Sequence, residues 1–261
     1  HPQHGWGTFW SVGGAWIMNK EPWFPVKPWL DMFKVKASVG SQGNDSIGSF
    51  KYLNLYDITT SNGQLSTPES QVGNKDITWE TNINLNLGTE FTLLKGRLDG
   101  SLEWFYRKTS DMLFFFSVAP SNGYNGFYDN VGDMVNHGVE FALSYKLIDR
   151  QDLTWSVDVN ATRVRNAITK LHEQHKSAKV EGYEGYSSGT YFYGVGLPLY
   201  TRYLKSYAGP DPETGESRWW KDVTDSAGNV TGRETTKEYS QATYYLGNNP
   251  IPELYGGLGT R

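Results

Sequence analysis

The chain has 261 residues, a formal net charge of −4 and no cysteine; disulfides, thiol catalysis and thiolate metal sites are excluded, and a nucleic-acid binder would carry a basic stripe instead. A mean hydropathy of −0.56, with no apolar run approaching the ~18 residues of a spanning helix, excludes a helical membrane protein. Aromatics still make up 15%, with ten Trp and seventeen Tyr, which leaves carbohydrate partners and membrane β-strands open, since such strands are apolar only at alternate residues.

Residues 1–5 have neither a basic start nor an apolar segment, so the chain is expected to be cytosolic or a piece whose targeting sequence lies elsewhere. From there an alternation of apolar and polar residues organises the chain. Residues 6–18 set Trp6, Trp10, Val12, Trp16 and Met18 against Gly7, Ser11 and Gly13; residues 32–40 set Phe33, Val35, Ala37 and Val39 against Lys34, Lys36, Ser38 and Gly40. A period of two places such sets on opposite faces of an extended strand. In the longest run, 77–91, Ile77, Trp79, Ile83, Leu85, Leu87 and Phe91 back onto Glu80, Asn82, Asn84, Asn86, Gly88 and Glu90. That exceeds the ~5–6 residues usual for strands of soluble domains and suits the ~9–11 that a tilted strand needs to cross a bilayer.

Residues 97–107 set Leu98, Leu102, Trp104 and Tyr106 against Asp99, Ser101, Glu103 and Arg107, with Phe105 alone breaking the polar side. Residues 138–147 set Val139, Phe141, Leu143, Tyr145 and Leu147 against Glu140, Ser144 and Lys146; residues 153–162 set Leu153, Trp155, Val157 and Val159 against Ser156, Asp158, Asn160 and Thr162. A seventh strand begins near Tyr255. The connections 19–31, 92–96 and 148–152 are short, whereas 41–76, 108–137 and 163–254 are long. Antiparallel strands joined short, long, short, long gather the long loops at one end, as in an outer-membrane barrel. Trp10, Trp16, Trp79, Trp104, Tyr106, Tyr145 and Trp155 are expected near strand ends, as interfacial girdles. The pattern therefore predicts an all-β, antiparallel, up-and-down transmembrane barrel segment; the alternative is a soluble β-sandwich, which also has one buried and one wet face.

Catalytic signals are poor. His172 and His175 flank Glu173 without the i, i+4 spacing of a helical metal site, so a solvated loop is expected there. Asp99 with Glu103, or Glu140 with Asp158, could act as acid and base in a secreted glycan hydrolase, but strict alternation makes them part of a hydrated lumen wall. That wall comprises Glu80, Asn82, Asn84, Asn86, Asp99, Glu103, Glu140, Asp158 and Asn160. No phosphate loop or nucleophile elbow is present, and neither enzyme activity nor a cofactor is expected. Binding signals lie in the long loops, where Tyr124, Phe127 and Tyr128, amid Phe114, Phe115 and Phe116, suit sugars or peptides. The alternative is that these rings only pack the loop. Trp219 and Trp220 follow Asp211-Pro212-Glu213-Thr214-Gly215, whose Pro and Gly predict a small hairpin; as an exposed pair they are candidates to bind substrate, with a protein contact as the alternative.

Several stretches together resemble successive barrel segments of SusC/RagA-type TonB-dependent transporters. They are Gly7-Thr8-Phe9-Trp10-Ser11-Val12-Gly13, Lys34 to Asn44, Trp79-Glu80, Tyr106 to Leu113, Tyr128 to Met134 with Asn136, Gly138 and Glu140, and Ala208-Gly209 with Asp211 to Gly215. Pro210 before Asp211 departs from the usual run. The resemblance implies an outer-membrane barrel closed by a plug and capped by a SusD-like surface lipoprotein, importing oligosaccharides or peptides with energy from TonB. Residues 1–261 would be part of the barrel domain, with the plug and closing strands absent, its outer face on lipid and no nucleic-acid partner.

Overall fold

A computed structural model describes residues 5–25, 27–118 and 120–261. Seven strands lie side by side in chain order: β1 (Trp10–Ile17), β2 (Leu30–Asn44), β3 (Glu80–Leu93), β4 (Leu98–Ser110), β5 (Gly132–Asp149), β6 (Thr154–Leu171) and β7 (Leu254–Thr260). Among the described residues there is no α-helix, and four short 3-10 turns are the only helical elements. Residues 18–29, 94–97 and 150–153 connect strands at one end, and 45–79, 111–131 and 172–253 at the other. The expected seven strands and one-sided long loops are therefore present.

Strand bounds shift in ways the local contacts explain. β1 starts at Trp10, four residues later than expected, and Trp6 is almost fully exposed. β3 starts at Glu80, so Ile77 and Trp79 precede the ladder instead of lying on the strand's apolar face. Asn130 causes this: its side-chain oxygen accepts from the Thr78 N–H (2.8 Å) and its Nδ2 donates to the Thr78 carbonyl (3.2 Å). The backbone groups that would pair with β4 are thus taken by a loop side chain, and Ile77 is fully buried. Conversely, β5 and β6 reach 18 residues each, absorbing parts of the expected loops. Residues 108–137, expected to be a loop throughout, also contain a hairpin of Leu113–Ser117 and Gly126–Asn130.

Register aligns the alternation across the sheet. Trp16, Val35, Thr89, Leu102 and Phe141 form one continuous row, and Gly14, Ala37, Leu87, Trp104 and Val139 the next. Directly opposed side chains of this kind are the unit of sheet stabilisation. These rows stay open: Val12 is 62%, Trp16 48%, Leu87 45% and Leu102 49% exposed. A sandwich would cover this face with a second sheet; here, of the buried apolar residues outside 171–251, Ile77, Met112 and Val131 lie in the connections and Ile168 near the loop end of β6. Trp104 sits mid-strand, stacked on Tyr106 at 6.3 Å, so it does not belong to a strand-end girdle. Its neighbours across the sheet, Leu87 and Val139, give it a flat apolar bed there.

Glycines make room for cross-strand rings. Phe91 is paired with Gly100 and Phe105 with Gly138, and a Cβ at either glycine would lie under 3 Å from the ring. Phe105, the exception in its strand's polar set, thus covers a glycine while it also lines the polar face.

The described residues fall into two compact units, one comprising residues up to 170 with 252–261 and the other 171–251. The second has its own core of Leu171, His175, Tyr186, Phe192, Tyr193 and Leu197. Its small sheets include Tyr207–Pro210, Ser217–Thr224 and Val230–Thr236, the first two forming the hairpin expected around residues 211–215.

Candidate functional site

The polar face of the sheet is a cross-linked lattice. Lys36, Gly88, Glu103 and Glu140 are register partners on successive strands. A Cβ at Gly88 would come within 2.9 Å of the Lys36 side chain. With none there, Lys36 reaches across β3 to Glu103 (2.6 Å) while also meeting Glu90 (3.2 Å). Lys34 pairs with Glu90 as well. The like-charged neighbours Glu103 and Glu140 differ in consequence: Glu103 is neutralised, whereas Glu140 has no ion pair with the described residues.

Further along this face the amides take over. Arg107 donates to Asn84 (2.6 Å), Thr109 to Asn82 (2.6 Å) and Asn86 to Ser38 (3.2 Å). Glu80 accepts from Asn44 (3.2 Å), Asn82 (3.1 Å) and the Leu113 N–H (3.1 Å), which ties the strand to the loop hairpin. Asn84, Asn86, Glu103 and Glu140 line one hollow of about 460 Å³ with Arg107 and Asn136. Asp99, Asp158 and Asn160 line another, of about 370 Å³, with Glu90. Asp99 accepts from Thr92 (2.7 Å) and Asp158 from Arg261 (3.0 Å). This is a solvated wall of acceptors and donors whose charges are largely spent on one another.

At the long-loop end, Tyr124, Phe127 and Tyr128 share a cavity of about 460 Å³ with Phe115, Lys51, Asp57, Glu69 and Gln71. Hairpin register pairs Tyr128 with Phe115 and Phe127 with Phe116, with ring centroids 5.3 and 5.9 Å apart. The rings therefore pack the hairpin and also wall a cavity. Sequence reasoning missed Lys51, Asp57, Glu69 and Gln71, which lie more than forty residues before the hairpin and share no periodic pattern with it. Asn74 joins the two loops by donating to Asp129 (2.8 Å) and to the Tyr128 carbonyl (3.2 Å).

Trp219 and Trp220 lie in the other unit, on one strand. Trp219 packs edge-on against Tyr239 (5.2 Å) and Tyr207 (6.3 Å), while Trp220 is more exposed. The preceding turn is held by Asp211, which accepts from the Glu213 and Thr214 N–H groups (2.9 and 3.1 Å). These bonds, helped by Lys237, bring its carboxyl down to about 2. His175 is buried against Tyr186, not in a solvated loop, because a 3-10 turn over Glu173–His175 carries its ring inward. Burial pushes the Tyr193 hydroxyl up to about 12 and raises that of Tyr186 too. Among the described residues no group of three or more His, Cys, Asp or Glu could hold a metal ion.

Comparison with known proteins places this geometry. A family model described as TonB dependent receptor-like, beta-barrel, matches residues 1–260. The TonB-dependent receptor SusC of Bacteroides thetaiotaomicron is 31% identical over 175 residues, covering 64% of this chain and 17% of SusC. A TonB-dependent receptor of Formosa agariphila is 26% identical over 202 residues, covering 76% of this chain and 18% of that protein. The chain therefore spans less than a fifth of the length of these curated relatives. The solved structure of the RagAB peptide transporter matches with a TM-score of 0.78 at 27% identity, over 96% of this chain and 27% of that one.

Proposed function

Because this chain belongs to the TonB-dependent receptor β-barrel family, we propose that it forms part of an outer-membrane importer. The importer takes up oligosaccharides or peptides, is energised through TonB and works with a SusD-like surface lipoprotein. The observation that carries this reading is the single sheet of long strands with an open apolar face and an ion-paired, amide-rich opposite face. Lipid suits the first face and a hydrated lumen the second. Glu80, Asn82, Asn84, Asn86, Asp99, Glu103, Glu140, Asp158 and Asn160 line that lumen, and the loop aromatics Tyr124, Phe127, Tyr128, Trp219 and Trp220 meet substrate.

Residues 1–261 are part of the barrel domain, with plug and closing strands outside them. Seven strands leave two open edges, and unpaired backbone in hydrocarbon is too costly to persist. The relatives named above are receptors and transporters, and we assign no catalytic role to Asp99 or Glu103.

The test is fractionation followed by uptake. The protein is expected in the outer-membrane fraction, extracted only by detergent, and its deletion should abolish accumulation of a labelled oligosaccharide or peptide that also stops when TonB is removed. Recovery as a soluble monomer in buffer, or TonB-independent uptake, would overturn the reading.

A further inference from the structure

The cavity between residues 45–79 and the hairpin of Leu113–Ser117 and Gly126–Asn130 has fixed walls. On one side Leu55 pairs with Gln71 and Tyr56 with Glu69. Gln71 donates to the Phe50 and Leu53 carbonyls (2.8 and 2.9 Å) and accepts from Lys51 Nζ (2.8 Å), so its hydrogen-bonding capacity is largely used. Facing it stand Phe115 and Tyr128, edge to face. Lys51 Nζ lies 5.3 Å from the centre of the Tyr128 ring. At about 460 Å³ the cavity falls within the roughly 300–1,000 Å³ of small-molecule sites.

What the walls leave unused defines the ligand. Neither the Asp57 nor the Glu69 carboxylate has a hydrogen bond or ion pair with the described residues, which leaves two strong acceptors. Lys51 uses one of its three N–H groups on Gln71, and the hydroxyls of Tyr124 and Tyr128 add donors. An anion would meet two carboxylates against one ammonium. A cation would be drawn to the carboxylates but repelled by Lys51, which is already seated over the aromatic face of Tyr128. A neutral polyol faces neither penalty. Each of its hydroxyls both donates and accepts, and the C–H face of a sugar ring can lie on the rings of Phe115 and Tyr128.

We propose that this cavity is a recognition site for a short neutral saccharide, with Asp57 and Glu69 accepting from its hydroxyls, Lys51 donating to them and the aromatic wall holding a ring face. The proposal rests on the import reading above and narrows its substrate class to uncharged glycans at this site.

The test is calorimetric titration of the whole importer, purified in detergent, with a panel of neutral hexose tetrasaccharides of α and β linkage. A uronate tetrasaccharide and a tetralysine peptide serve as charged comparators. At least one neutral saccharide should bind, and both charged probes should bind about tenfold more weakly or not at all. The shape-preserving double substitution Asp57→Asn with Glu69→Gln should weaken the neutral saccharide about tenfold, the scale of losing hydrogen bonds to charged acceptors. Circular dichroism would confirm the fold of that variant. Binding by none of the neutral panel, preference for either charged probe, or undiminished binding by the double variant would overturn the proposal. TonB-dependent uptake of peptides alongside any of these results would sink this inference alone and leave the import reading standing.

Discussion

Gly88 matters for the side chain it lacks. It lies between Lys36 and Glu103 in the register, and the open space above it is the path by which one ammonium joins β2 to β4. Gly88→Val should block that path and separate Lys36 from Glu103. The ion pair is part-exposed, so the loss should be modest, about 1 kcal/mol or less. A double-mutant cycle with Lys36→Met, read by denaturant unfolding in detergent, checks it: the cost of Gly88→Val should shrink once Lys36 is gone. An unchanged cost would mean that valine acts only through backbone crowding. A lone glycine in a polar run is visible in the sequence. That it opens a route between strands is not, because the route depends on which residues face it from two neighbouring strands.

Among elements, Asn130 does the most with one side chain. It clamps both backbone polar groups of Thr78 and also donates to the Asp111 carbonyl (2.7 Å), so the starts of β3 and of the loop hairpin are fixed together. Asn130→Ala leaves three backbone groups, two of them part-buried, without that partner and should cost about 1–3 kcal/mol. Hydrogen exchange by mass spectrometry should then show faster exchange over residues 76–80 and 111–117, with the middle of β3 unaffected. Exchange rising evenly along β3 would contradict a local clamp. The alternation alone ran the strand back to Ile77, since Ile77 and Trp79 keep the period. Only the long-range contact reveals that the backbone of Thr78, between them, is bonded elsewhere.

For the whole molecule, the consequence of the two faces is directional. Leu87 lies near the middle of β3 on the open apolar face, and Asn86 beside it bonds Ser38 on the other. Leu87→Arg should cost roughly 2–4 kcal/mol if that face meets the bilayer midplane, whereas Asn86→Arg, on the lumen side, should cost little. Folding into vesicles, followed by the heat-dependent gel shift of folded barrels, measures both. Equal tolerance of the two substitutions would remove lipid from the apolar face.

Strand order, the two-faced character of the sheet and the grouping of long loops at one end were all determined by the sequence itself. Each follows from local rules: a period of two selects a face, and the lengths of connections fix how neighbours run. The same periodicity sets Glu80, Asn82, Asn84 and Asn86 on one face of β3, and Asp99 and Glu103 on one face of β4. Tertiary structure alone decided which of them share a hollow, which carboxylates are neutralised, and that Lys51, Asp57 and Glu69 meet Tyr124 and Tyr128. The reason is physical: strand periodicity is carried by near neighbours in the chain, whereas a cavity between loops is closed by side-chain hydrogen bonds such as those of Asn74 and Gln71, for which chain spacing holds no signal.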